Sequence, residues 1–307
     1  MTSLHTFKPA QVGLIGYGEV GKIVSTGLKD KPGVAQAHAW DLKFADESLA
    51  PRELEHARLA GVAAADSLQA LCTRCDLIVS AVTASNTLAV AQAASAFIRP
   101  GSVFLDLNSA SPGTKKAAAA LIDAAGAHYV EAGVMTSVPP YGIRVPMLLG
   151  GAEANVLEAL LTSWGMQATA VSEELGVASA IKMCRSIMIK GLEALVIESY
   201  TTARAYGVED HVLPTLAETF PSIDWPQQGA YFFSRVVQHG KRRAEEMRES
   251  ANTVAEAGLE PFMGRAIADK QQSVADAAAA GVFAGLEKGA PWQDYADRLL
   301  KARDAKG

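Results

Sequence analysis

The chain has 307 residues, 49% of them hydrophobic and 20% charged, with 26 glycines and 13 prolines. At about 100 to 200 residues per domain this length predicts two domains, and the composition excludes a disordered or collagen-like polymer. With 28 Lys plus Arg against 33 Asp plus Glu, the formal charge of −5 gives no electrostatic reason to approach nucleic acid or an anionic membrane. No apolar run reaches the roughly 18 residues of a membrane span. Met1 to Ala10 lacks the apolar core of a secretory leader. Three cysteines, Cys72, Cys75 and Cys184, are too few for a disulfide framework. A soluble, cytoplasmic protein without nucleic-acid or membrane partners is expected.

From Gln11 to about Gly151, short β-rich runs alternate with alanine-rich helical stretches, the pattern of a mainly parallel sheet covered by helices. Val12 to Ile15 is the first strand. A helix follows from Val20 to Leu28 and is closed by Asp30-Lys31-Pro32-Gly33. Further strands are expected at Ala35 to Trp40, at Leu77 to Val82, at Ser102 to Leu107, near Ala127 to Val130 and at Val145 to Leu149; the fully apolar run at Leu77 belongs in the centre of the sheet. After about Val171 long Ala-, Leu- and Glu-rich segments take over. Glu173 to about Tyr206 reads as one helix of about 34 residues and roughly 50 Å, too long for one lobe, and so a connector between domains. His211 to Glu218, Gln228 to Ala257, Pro261 to Gly281 and Trp292 to Ala302 complete an all-helical second half. The expected division is residues 1–172 and 173–307.

The segment Val12 to Gly21 places G-x-G-x-x-G at Gly16, Gly18 and Gly21, between the first strand and the first helix. Gly16 permits the tight turn, Gly18 lets the backbone approach a pyrophosphate, and Gly21 lets helix and strand pack closely. The intervening Tyr17, Glu19 and Val20 belong to the same turn, and the anion would sit on the helix N-terminus. Asp41 ends the second strand 20 residues after Gly21, where a carboxylate accepts hydrogen bonds from the adenine-ribose hydroxyls and repels a 2′-phosphate. NAD is therefore favoured, with NADP left open because Lys43 lies two residues on. The alternative is a βαβ turn that binds no nucleotide.

At this point the sequence resembles the β-hydroxyacid dehydrogenase superfamily, which includes 3-hydroxyisobutyrate and 6-phosphogluconate dehydrogenases. The resemblance covers most of the chain and rests on Val12 to Gly21, on Leu105-Asp106-Leu107-Asn108-Ser109-Ala110-Ser111-Pro112, and on Gly176-Val177-Ala178-Ser179-Ala180-Ile181-Lys182. The second half looks most like a phosphogluconate-dehydrogenase-like branch of unknown function. The resemblance implies a doubly wound Rossmann domain followed by an all-α domain on a long interdomain helix. It also implies a substrate pocket at Asn108 and Ser109, where the family has Ser and Thr, and a catalytic lysine at Lys182.

Oxidising a secondary alcohol requires a base for the hydroxyl proton while hydride leaves the carbon. A lysine with an ordinary pKa of about 10.4 must fall to about 7 to 8 for that task, through burial or a nearby cation such as Lys190 or Arg185. A solvated surface charge is the bland alternative for Lys182. The family's Asn four residues on is here Ser186, and Arg185 beside it could bind a carboxylate or phosphate bidentately, or pair with Glu173 or Glu174. A family stretch resembling D-A-P-V-S-G-G appears as Glu131-Ala132-Gly133-Val134-Met135-Thr136-Ser137. Thr136 and Ser137 thus replace two glycines at the substrate carboxylate, which argues against 3-hydroxyisobutyrate. Val82 and Thr83, ending the strand from Leu77, fall near the nicotinamide ribose by topology; a strand-end cap is the alternative for Thr83.

These readings converge on an NAD(P)-dependent dehydrogenase of a small β-hydroxy acid or sugar acid, with no metal and with decarboxylation open as a second step. An imine reductase-like enzyme and a non-catalytic NAD(P)-sensing protein are the rivals. A homo-oligomer, most simply a dimer, is expected because an apolar interdomain helix needs a partner for its outer face. Cys72-Thr73-Arg74-Cys75 has redox C-x-x-C spacing but precedes a central strand, which favours plain packing. His239, in a basic cluster, and Trp225, between Pro221 and Pro226, are weaker pocket candidates beside ordinary helix-end and packing roles.

Overall fold

The computed structural model describes residues 7–287 and 289–305. The leader-free reading of Met1 to Ala10 therefore falls mostly outside the described residues. No helix is long and apolar enough to cross a membrane among the residues described.

The chain forms two compact units, residues 1–183 and 184–307. In the first, the elements run β1 (Gln11–Ile15), α1 (Glu19–Leu28), β2 (Gln36–Trp40), α2 (Ala50–Ala60), β3 (Ala63–Ala64), α3 (Leu68–Arg74), β4 (Leu77–Ser80) and α4 (Thr87–Ser95). They continue as β5 (Val103–Asp106), α5 (Pro112–Ala124), β6 (His128–Val134), β7 (Met147–Gly150), α6 (Ala154–Ser163) and β8 (Ala168–Ser172). The helix α7 (Val177–Tyr206) starts in this unit and continues into the second, so the units divide inside it rather than before it.

The strands make one eight-stranded sheet in the order β3-β2-β1-β4-β5-β6-β7-β8. All neighbours are parallel except β6 and β7. Alternation along the central strands explains why both faces are covered. Val12 and Leu14, Leu77 and Val79, and Val103 and Leu105 enter one buried cluster; Ile15, Ile78 and Phe104 enter the other. The strand order reverses between β1 and β4, and loops after the strand ends at such a switch point form the ligand crevice of open α/β sheets.

Two short strands, β3 and β8, escape the sequence reading. β3 has two residues, and β8 reads Ala-Thr-Ala-Val-Ser, too small and too polar to register as a buried strand. β4 also ends at Ser80 rather than Val82, because the Val82 amide leaves the ladder and donates to the Asn108 side chain at 2.7 Å.

In the second unit α7 is followed by α8 (Glu209–Thr219), α9 (Trp225–Glu256), α10 (Phe262–Ala279) and α11 (Trp292–Asp304). Its core gathers Tyr200, Trp225, Phe233, Val236, Trp292 and Tyr295. A buried Glu193–Arg243 ion pair ties α7 to α9. Arg204 clamps Asp297 on α11 and Glu209 on α8.

Candidate functional site

The phosphate-binding turn follows from three glycines with different tasks. Gly16 has φ +96°, and a Cβ there would lie 2.5 Å from the Ala81 carbonyl oxygen. A Cβ on Gly21 would lie 1.9 Å from the Gly16 carbonyl oxygen, so α1 can rest on the β1 turn only with glycine at 21. Gly18 is the helix N-cap, and a Cβ there meets nothing within 4 Å. It is the one glycine of the three whose missing side chain opens space rather than relieving a clash. That space fronts the unpaired first-turn amides of α1, the cradle a pyrophosphate requires. Glu19 is exposed at the start of the helix and Val20 is half-buried behind it.

Asp41 sits at the end of β2, half-buried, with Oδ2 accepting from Tyr17 N at 2.6 Å and Oδ1 from Lys43 N at 2.9 Å. Each oxygen keeps a lone pair for a ribose hydroxyl. The carboxylate thus closes the glycine turn with acceptor capacity to spare. Tyr17, expected at the cofactor, donates its amide to Asp41 and has its ring fully buried. The ring packs edge-on against Phe44 and His56, and its hydroxyl lies 3.0 Å from His56 Nδ1. Thr83 is exposed just beyond β4, accepting from Asn86 Nδ2 at 2.8 Å, and so shapes a turn there.

The loop after β5 is held more firmly. Asn108 is 3% exposed; its Oδ1 accepts from Val82 N at 2.7 Å and its Nδ2 donates to Ser80 Oγ at 2.9 Å. Its amide braces two strand ends, so both of its polar atoms already hold protein partners. Asp106, fully buried, accepts from Asn108 N (2.8 Å) and from the Tyr129 hydroxyl (2.5 Å), and pairs with Lys115 Nζ at 3.1 Å. Burial and the adjacent Asp106 carboxylate hold the Tyr129 phenol well above its ordinary pKa, so it acts as a donor throughout the usual pH range. Ser111 Oγ accepts from Thr114 N and caps α5. The loop from Leu107 to Ser111 is therefore fixed at both ends.

Only Ser109 in this loop presents a reactive group, and Lys182 Nζ donates to its Oγ at 2.6 Å. The pairing depends on how α7 begins. Gly176 turns the chain with φ +100°, and the buried Glu131 carboxylate accepts the amides of Gly176 (2.8 Å) and Ala178 (3.1 Å) through Oε1. A Cβ on Gly133 would stand 3.0 Å from the Ala178 carbonyl oxygen and 3.4 Å from Lys182 Cβ, so glycine in β6 lets the first turns of α7 come down onto the sheet. Glu131, Gly133, Asp106, Lys115 and Tyr129 went without a role in the sequence reading. The acidic first position of the Glu131-to-Ser137 stretch was the available signal for Glu131; nothing in the local pattern reveals a buried lysine at 115. Thr136 is exposed and Ser137 half-buried on the loop after β6.

In the second unit Ser186 is buried and accepts from Lys190 Nζ at 3.1 Å. Lys190 also pairs with Glu246 at 2.8 Å. Its charge is thus neutralised within α7 and α9. Arg185 is exposed, with no ion pair to a described residue of its own unit. Trp225 is buried against Phe220, with its carbonyl accepting from the Tyr200 hydroxyl, and is a packing residue. His239 is half-buried on α9. Cys72 and Cys75 are fully buried, and burial pushes both thiols up to about 12, which leaves the C-x-x-C pair inert. No group of metal-ligating side chains occurs among the described residues.

Residues 11–170 match the NAD binding domain of 6-phosphogluconate dehydrogenase. The chain belongs to the β-hydroxyacid dehydrogenase superfamily. Residues 203–274 match a domain of unknown function, DUF1932. The chain is similar to a conserved hypothetical protein from Sinorhizobium meliloti 1021, with 35% identity, TM-score 0.75, and 97% of this chain and 98% of the other covered. A second solved structure is described as a conserved protein of unknown function with structural similarity to 3-hydroxyacid dehydrogenases. It is 30% identical, with TM-score 0.66 and 88% and 99% of the two chains covered. The 3-hydroxyisobutyrate dehydrogenase of Mycobacterium tuberculosis shares the fold, at 16% identity and TM-score 0.64, with 94% and 99% of the two chains covered. As in other members of this superfamily, the first unit is the NAD-binding domain, and the open cradle at Gly18 together with Asp41 fits a nicotinamide dinucleotide.

Proposed function

We propose that the protein is an NAD(P)-dependent oxidoreductase acting on the CH–OH group of a small β-hydroxy acid or sugar acid. The observation that carries this reading is the 2.6 Å hydrogen bond from Lys182 Nζ to Ser109 Oγ. It joins the start of α7 to the loop after β5, at the carboxyl end of that strand, the side on which ligands bind in folds of this kind. When bound, the nicotinamide supplies the hydride acceptor or donor. Gly18, the first turn of α1 and Asp41 hold the dinucleotide, and Lys182 serves as the general base for the alcohol proton. Thr136 and Ser137 on the loop after β6 offer hydroxyls to the acid group in place of backbone amides. A lysine at 182 speaks for alcohol rather than imine chemistry.

Initial rates with NAD and NADP across β-hydroxy acids, aldonates and phosphorylated sugar acids test the reading. Turnover by the wild type that drops at least about a hundredfold in Lys182→Ala supports it. Equal rates in the two proteins overturn it.

The protein also acts as a homodimer in this proposal, in the cytoplasm. Met188, Leu195 and Tyr206 are 74%, 57% and 79% exposed along α7. Between α7 and α8 lies an open groove of about 420 Å³ lined by Leu195, Glu198, Thr202, Tyr206, Val208 and Val212. An apolar face of this kind is covered at low cost by its own copy. Light scattering of the wild type and of Leu195→Glu checks it: a dimer that falls to monomer supports the face, and a monomeric wild type removes it.

A further inference from the structure

Resting on the hydroxy-acid reading, we infer that Ser109 is itself a catalytic residue, a proton relay between Lys182 and the substrate oxygen. The first ground is the direction of one hydrogen bond. A lysine ammonium only donates, so across 2.6 Å the Ser109 oxygen accepts from Lys182 Nζ. The proton of Ser109 itself then finds no acceptor among the described residues. The side chain is half-buried rather than sealed, which leaves that proton within reach of an incoming oxygen.

The second ground is that Ser109 is held from both sides. Asn108 before it is braced by Val82 N and Ser80 Oγ, and its amide is fixed by Asp106. Ser111 after it caps α5. A hydroxyl that passes a proton needs an ammonium that resupplies it and a loop that holds it still, because transfer requires a short, fixed donor–acceptor distance at each end.

The balance is simple. In the reducing direction the substrate carbonyl oxygen takes the Ser109 proton, the Ser109 oxygen takes a proton from the Lys182 ammonium, and Lys182 is left as the neutral amine. The electron pair of the new C–H bond arrives as hydride from the reduced nicotinamide, which is thereby oxidised. In the oxidising direction the substrate hydroxyl proton passes to Ser109 as the serine proton passes to neutral Lys182. The O–H electron pair becomes the C=O bond, and the carbon gives up hydride to the oxidised nicotinamide.

The test compares wild type, Ser109→Ala and Ser109→Thr. Ser109→Ala is expected to lower kcat about a hundredfold with little change in KM, and Ser109→Thr, which keeps a hydroxyl, to recover most of it. Rates in mixtures of light and heavy water should fall along a curve in the wild type, with two protons in flight, and along a straight line in Ser109→Ala. Acetylation of Lys182 by acetic anhydride, read by mass spectrometry, should rise measurably in Ser109→Ala, because the ammonium loses the Ser109 oxygen as an acceptor. Should Ser109→Ala keep kcat within about threefold while the wild type turns over, the relay is wrong and the hydroxy-acid reading stands. A wild type that turns over no acid in the panel removes both. Unchanged acetylation overturns the pairing whatever the kinetics.

Discussion

Glu131 Oε1 lies 2.8 Å from the backbone nitrogen of Gly176, so a buried carboxylate on β6 closes the N-terminus of the helix that carries Lys182. The same oxygen takes the Ala178 amide. A negative charge at a helix start also meets the positive end of its dipole. Glu131→Ala leaves two buried amides unpaired, at about 1 to 3 kcal/mol each. The expected outcome is a clear loss in urea midpoint together with a fall in kcat, since Lys182 is aimed by this turn. Glu131→Gln retains an acceptor and should lose less on both counts. Unchanged stability in Glu131→Ala would contradict the anchoring role.

The three turn glycines should separate by readout. Gly21→Ala meets backbone at 1.9 Å and should fail to fold or melt far lower. Gly18→Ala meets nothing within 4 Å of the new methyl, so its melting temperature without nucleotide should match the wild type while affinity for NAD falls about tenfold or more. Calorimetric titration with NAD decides it; a Gly18→Ala protein that binds normally would place the pyrophosphate elsewhere.

His38 gives the fold a defined weakness toward acid. It is 4% exposed on β2, and burial, followed by the charge of Arg74, lowers its pKa below the ordinary 6.5. Above 6.5 the folded and unfolded chains are both neutral there, and the residue makes no pH-dependent contribution. Below 6.5 the unfolded chain binds the proton first, so stability declines as pH falls through the gap between the two values. His38→Gln should flatten that part of the curve. Urea unfolding at several values between pH 7 and 5 measures the slope, and equal slopes in the two proteins would exclude His38 as the source.

The three thiols should behave as two classes. Cys72 and Cys75 are buried, with pKa values near about 12, whereas Cys184 is exposed on α7. Titration of the native protein with a disulfide reagent at pH 8 should release one fast equivalent, absent in Cys184→Ser, and two more only on unfolding. Three fast equivalents would show that the α3–β4 turn opens readily.

The sheet and the helical half were legible because their signals are local. Alternating apolar residues mark β1, β4 and β5, and glycine spacing marks the turn after β1. Long helical periodicity marks α7 and α9 to within a few residues. At the candidate site the motif marks the backbone turn at Gly16, Gly18, Gly21 and Asp41, and the two residues that the resemblance pointed to, Lys182 and Ser109, lie within hydrogen-bond distance of each other. What stayed hidden are contacts between residues distant in sequence. That Asn108 turns inward to Val82 and Ser80, that Lys115 is buried on Asp106, and that Lys190 is neutralised by Glu246 all depend on which elements meet, and no local pattern records that.

The Asn108 brace sets a rule for redesign. One side chain ties the exit of β4, beside the dinucleotide turn, to the segment that presents Ser109. Libraries aimed at new substrates gain little at position 108, since any smaller or apolar residue would loosen two binding edges together. The loop after β6 is the freer target. Thr136 is exposed there, so on the proposed reading it can be varied in size and polarity without disturbing the Asn108 brace or the glycine turn.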